Sequence, residues 1–138
     1  MSPNAAEDYS EEKELEVLSE MARTTKEIDW KPAIILSTAY LEKIGIVRIS
    51  EFLKNRKVKL GKKLDDLSLN DVAIFLYILH QIGDKEFTQI NQIRKERDRI
   101  IHPRGTKIPV YFGEKANNKY AKMVENTINI ISKLKSDY

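Results

Sequence analysis

The chain has 138 residues, no cysteine, two histidines, 41% hydrophobic residues and 24 Lys+Arg against 21 Asp+Glu, the composition of one domain with a single core. The absence of cysteine excludes a disulfide framework, a thiol nucleophile and a Cys-rich zinc site, and two histidines supply a His-based metal centre poorly, so chemistry without a metal or cofactor is the expectation. The longest apolar runs, such as Ala33-Ile34-Ile35-Leu36, fall far short of the roughly 20 residues a membrane-spanning helix needs, and the acidic N-terminus lacks a signal peptide's basic-then-apolar pattern; a cytoplasmic protein without membrane contacts is expected.

Charge is unevenly distributed. Residues 1–20 hold seven acidic side chains and Lys13, a net −6, so the remaining residues carry +9 of the chain's overall +3. Such a surplus suits a polyanion partner, although a solvated Lys-rich surface is its commoner meaning.

Five glycines and four prolines leave long helix-favouring intervals, and the whole chain reads as all-α. The first helix is expected from about Asp8 to Arg23, with Leu15, Leu18 and Met21/Ala22 on one face and an acidic opposite face; residues 1–28 form this helix and its linker. Asp29 is a natural N-cap for a second helix with Pro32 in its first turn, running to about Asn55 past a weak point at Gly45. Its apolar residues surround more than one face, which makes it the centre of a bundle spanning 29–138. Lys54 to Lys63 reads as a basic connector. Ser68-Leu69-Asn70-Asp71 offers capping groups for a third helix of about Asp71 to Ile82, stopped by Gly83. Asp84 can cap the fourth, ending near His102-Pro103 because proline disfavours helical geometry at the preceding residue. The short joint between them implies antiparallel neighbours. Arg104 to Gly113 is a loop with room for an extended piece at Ile108 to Phe112, and a last helix covers about Glu114 to Leu134. The expected fold is an up-and-down bundle of four main helices plus the N-terminal helix.

The fourth helix carries the unusual residue. With Phe87 at zero and about 100° per residue, Ile90, Ile93, Ile100 and Ile101 fall at about 300°, 240°, 220° and 320°, and Arg97 at about 280° lies mid-stripe. Lys95, Glu96, Asp98 and Arg99 point elsewhere. A permanently charged guanidinium on an apolar face needs a carboxylate or an anionic ligand. Glu42, which interrupts the stripe Ile35, Ile46, Ile49 on the second helix, is the expected partner in a buried pair. Periodicity alone fits a structural salt bridge or a functional one. His102 lies at the helix end beside the loop, the place of a C-cap or of a proton-transfer group working near neutral pH.

The segment from Asn91 to Pro103, NQIRKERDRIIHP, resembles the signature of the HEPN superfamily (higher eukaryotes and prokaryotes nucleotide-binding domain): an Arg, a polar residue and, after four to six intervening positions, a His near the end of a late helix. Arg97, Asp98 and His102 match it. The earlier helix with Ser37-Thr38-Ala39-Tyr40-Leu41-Glu42-Lys43, the following proline and the all-helical reading extend the resemblance over about Asp29 to Leu134. It implies a metal-independent endoribonuclease, commonly a toxin or antiphage factor, working as a homodimer on RNA. On that resemblance Arg97 holds the scissile phosphate, His102 transfers the proton, Asp98 orients one of them, Glu42 positions Arg97, and Arg94, Arg99, Arg104 and Lys107 form a phosphate-attracting rim. Some toxin members carry a Tyr two residues after the His, the target of a nucleotidyltransferase antitoxin partner; that position here is Arg104. Other superfamily members are non-catalytic helical modules that bind nucleotides or proteins, and a purely structural Arg97–Glu42 bundle is a third reading. His80 reads as a packing or interface residue, and Trp30 as a wedge at a helix start.

Overall fold

The computed structural model describes residues 29–57, 64–105 and 109–136, together with Glu16. These residues form four α-helices, α1 (Trp30–Asn55), α2 (Leu69–Ile78), α3 (Asp84–Ile101) and α4 (Glu114–Ser136), with one 3₁₀ turn at Leu64–Asp66. No strand occurs among the described residues, so the all-helical bundle stands. The expected N-terminal helix lies outside the described residues, apart from Glu16, which is helical and exposed.

Helix α1 begins where Asp29 accepts a hydrogen bond from the Lys31 amide at 3.0 Å, satisfying one of the free N–H groups of the first turn. It passes through Gly45 without a break. That glycine is a point of close approach, since a Cβ there would collide with the Val72 side chain of α2. α1 packs against each of the other three helices, which makes it the axis of the bundle.

Ser68 and Asp71 form a reciprocal capping box at the start of α2, through the Asp71 amide to Ser68 Oγ at 3.2 Å and the Ser68 amide to Asp71 Oδ2 at 3.4 Å. The helix ends at Ile78, four residues before the expected stop. The cause is a left-handed residue at His80, φ 59°, which lets the Gln81 backbone amide close the end by a hydrogen bond to the Leu76 carbonyl at 2.8 Å. His80 is therefore an exposed turn residue, and the chain reverses before Gly83 is reached. Gly83, with Asp84 inside the helix, caps α3; the Glu86 carboxylate accepts from the Gly83 amide at 2.9 Å. Between Pro109 and Gly113 the chain is irregular. Ile108, where the extended piece was expected to start, is outside the described residues.

The core has two connected parts. One joins Leu41 and Ile49 of α1 to Leu69, Val72 and Leu76 of α2, Ile90 of α3 and Ile131 and Leu134 of α4. The other gathers Trp30, Ile34, Ile93, Tyr111, Tyr120 and Val124. Trp30 is fully buried and its indole N–H donates to Asn117 Oδ1 at 2.8 Å, the partner a buried indole requires. Its backbone amide donates to the Tyr111 carbonyl at 2.9 Å. One helix start thus pins the loop after α3, and each enclosed Leu, Ile or Val of these clusters contributes roughly 1.5–3 kcal/mol. Among the described residues no helix is long and apolar enough to cross a membrane.

Candidate functional site

The C-terminal half of α3 collects most of the charges singled out in the sequence. Arg97 NH1 lies 3.4 Å from Glu42 Oε2, and Arg97 NH2 lies 3.6 Å from Asp98 Oδ1. The other oxygen of Asp98 is 3.5 Å from Arg94 NH1. Glu42, Arg97, Asp98 and Arg94 therefore form one chain of alternating charge across α1 and α3.

The expected pair of Arg97 with Glu42 is present, but it is half-buried rather than buried, with side chains 20% and 33% exposed. The enclosed residues of α3 are Ile90, Ile93 and Glu96. Counting Phe87 and Ile101 as core pulled the expected centre of the stripe toward Arg97, whereas Phe87 is half-buried and Ile101 is 50% exposed. The enclosed residues Ile90, Ile93 and Glu96 fall at about 300°, 240° and 180°, so the buried face centres near about 240° with Glu96 at its edge, and Arg97 at about 280° lies about 40° from that centre. The expectation that Glu96 points elsewhere is thereby corrected.

Glu96 was missed because a single carboxylate among five charged neighbours gives no periodic signal. Its environment explains how it is tolerated. Oε1 accepts from Arg99 at 2.9 Å and lies 3.3 Å from Lys119 Nζ, while Oε2 accepts the hydroxyls of Tyr111 and Tyr120 at 3.2 and 3.4 Å. The two tyrosine rings stack with centroids 5.0 Å apart. Burial, and after it the charge of Glu96, raises the pKa of both phenols, so each remains an O–H donor at neutral pH.

α3 ends at Ile101, and His102 caps it with its amide on the Asp98 carbonyl at 2.8 Å and a non-helical backbone before Pro103. A groove of about 650 Å³ opens here, lined by Lys31, Asp98, Arg99, Ile100, His102, Pro103, Arg104, Pro109 and Tyr111. Three basic side chains, Lys31, Arg99 and Arg104, thus share the groove with an exposed imidazole, with one carboxylate a helical turn before it. Of the expected site residues, Asp98, His102, Arg99 and Arg104 meet in this groove. Arg97, Glu42 and Arg94 do not line it; they connect to it through Asp98. Lys107 lies outside the described residues.

No protein-family model, curated protein or solved structure matches this chain. The site's meaning rests on its chemistry. Among the described residues no group of three or more His, Cys, Asp or Glu side chains could hold a metal ion. What the groove offers is an exposed imidazole beside several donors of the kind that pair with phosphate.

Proposed function

We propose that the chain is a metal-independent endoribonuclease of HEPN type that acts as a homodimer on RNA. The observation that carries the reading is the exposed His102 set with Arg99, Arg104 and Lys31 in one open groove. RNA brings its own nucleophile, the 2′-hydroxyl. In the reaction the 2′-oxygen bonds to phosphorus and the bond to the 5′-oxygen breaks, leaving a cyclic phosphate and a free 5′-hydroxyl. One copy's His102 takes the 2′-hydroxyl proton, and the other copy's His102 protonates the departing oxygen. Arg99, Arg104 and Lys31 bind phosphate oxygens and offset the charge that develops on them. Asp98 and Glu42 hold Arg97 beside the groove, from which it reaches the scissile phosphate once the second copy closes the cleft. Ile101, Val110 and Phe112, 50%, 60% and 65% exposed, supply apolar surface next to the groove for that second copy.

A toxin or antiphage role follows from the family alone. A nucleotidyltransferase-type antitoxin would find Arg104 at the position of its tyrosine, and the nearby Tyr111 is only 4% exposed, with its hydroxyl on Glu96.

A non-catalytic anion-binding module is the second reading, favoured by the commitment of Arg97 to two carboxylates. The two separate by incubating wild type and His102→Ala with mixed RNA in EDTA, after both are shown to fold with the same oligomeric state. Cleavage by wild type and loss of at least about 100-fold in His102→Ala is the expected outcome, the scale of a general acid–base contribution. Binding without cleavage by a dimeric wild type would replace the nuclease with the module.

A further inference from the structure

Glu96 is the only charged side chain among the described residues that is nearly sealed from solvent, at 3% exposure. A carboxylate in such a place is tolerated only with partners, and removing them is strongly unfavourable. Its two oxygens have different partners. Oε1 faces the cations Arg99 and Lys119, and Oε2 accepts the two phenols.

Two of these four partners are walls of the groove. Arg99 and Tyr111 line it, whereas Glu96, Lys119 and Tyr120 do not. The Arg99 side chain is 58% exposed, so Glu96 holds it on one side and leaves the rest of the planar guanidinium toward the opening. Tyr111 is fixed at both ends, its hydroxyl on Glu96 and its carbonyl on the Trp30 amide at 2.9 Å. A flexible arginine normally loses rotamer freedom when it binds an anion; one already held by a buried carboxylate loses less.

We propose that Glu96 is a positioning residue for phosphate binding in this groove: its buried carboxylate holds Arg99 in one wall and Tyr111 in the other, so that the site is shaped before the anion arrives. The proposal rests on reading the groove as a phosphate site, and needs no cleavage. It predicts an effect opposite to that of simple charge. Neutralising Glu96 removes a negative charge near the groove and would, through space, strengthen anion binding, an effect screened at high salt. Loss of positioning weakens binding at every salt concentration.

The test uses the full chain and a short 2′-deoxy oligonucleotide of mixed sequence, which offers phosphates and cannot be cleaved. Affinity is measured at low and high salt for wild type, Glu96→Gln, Tyr120→Phe and Arg99→Ala, and the Nη–H resonance of Arg99, the group that donates to Glu96, is followed by NMR. Glu96→Gln should bind about threefold to tenfold more weakly at high salt, the scale of one side chain to be immobilised, and its Arg99 resonance should exchange faster with water. Tyr120→Phe, which leaves Arg99 its partner and lies outside the groove, should melt at a lower temperature yet bind as wild type does.

Equal affinity for Glu96→Gln and wild type at high salt, with Arg99→Ala weakened, would overturn the positioning role. An Arg99→Ala variant that binds as wild type does would overturn it as well. If Glu96→Gln does not fold, Tyr111→Phe and Tyr120→Phe take its place: weaker binding by the first alone supports the proposal, and equal binding overturns it. Oligonucleotide binding that depends on Glu96 in a protein that leaves RNA intact would sustain this inference while removing the nuclease.

Discussion

The Tyr111 phenol is held above the ordinary tyrosine pKa first by burial and next by the charge and hydrogen bond of Glu96, and Tyr120 is raised by burial and the same charge. A folded-state pKa above the unfolded value, about 10 for tyrosine, means stability that is complete below that pH and lost as the pH rises toward the folded value. The urea midpoint should therefore fall above about pH 10, and less steeply in Tyr111→Phe. A variant whose alkaline slope equals that of wild type would show that Tyr111 titrates without linkage to folding. At the same scale, sequence reading found half of the charge arrangement. Arg97 and Glu42 interrupt apolar stripes on their own helices, and that local pattern was enough to join them across α1 and α3. Glu96 depends instead on Tyr111, Tyr120 and Lys119, which are 15 to 24 residues farther along and converge on it only after the loop has folded back.

Helix identities were legible because they follow from local rules, including the Asp29 cap, the Ser68–Asp71 box and the stop before Pro103. The end of α2 was not. A glycine is the ordinary left-handed stop, yet here His80 adopts that conformation and Gln81 secures the turn by donating to the Leu79 carbonyl at 3.0 Å and accepting from Arg48 at 2.7 Å. Gly45 shows the opposite case, a helix-weakening residue kept for its lack of volume. Alanine there would favour the helix by about 1 kcal/mol. It would also place a methyl group against Val72, a side chain with little rotamer freedom, at a cost of about 1–3 kcal/mol for overpacking. A net loss of about 0–2 kcal/mol is expected for Gly45→Ala in urea unfolding, and Val72→Ala should partly suppress it in the double variant. Simple additivity of the two changes would mean that α1 and α2 separate to accept the methyl group without cost.

At the scale of the whole molecule, the start of α1, the end of α3 and the loop leading into α4 converge at one end of the bundle, where Lys31, Arg99 and Arg104 outnumber the single carboxylate of Asp98 in the groove. The chain's overall charge of +3 is a poor guide to such a site, because opposite charges far apart in sequence cancel in the sum but not in the local field. If this end binds a single-stranded polyanion, each phosphate it neutralises releases condensed counterions, and the logarithm of affinity falls with the logarithm of salt concentration by about 0.7 per contact. Arg104→Ala should therefore weaken oligonucleotide binding at low salt and make the salt dependence shallower by about 0.7 per binding site. Lys133→Ala is the matched control, since Lys133 is engaged by Glu86 at 2.8 Å and is not part of the groove lining. It removes the same formal charge from the molecule, so an equal change in slope for both variants would show that binding follows net charge rather than this groove. A change confined to Arg104→Ala would locate the phosphate contact at the end of α3, beside His102.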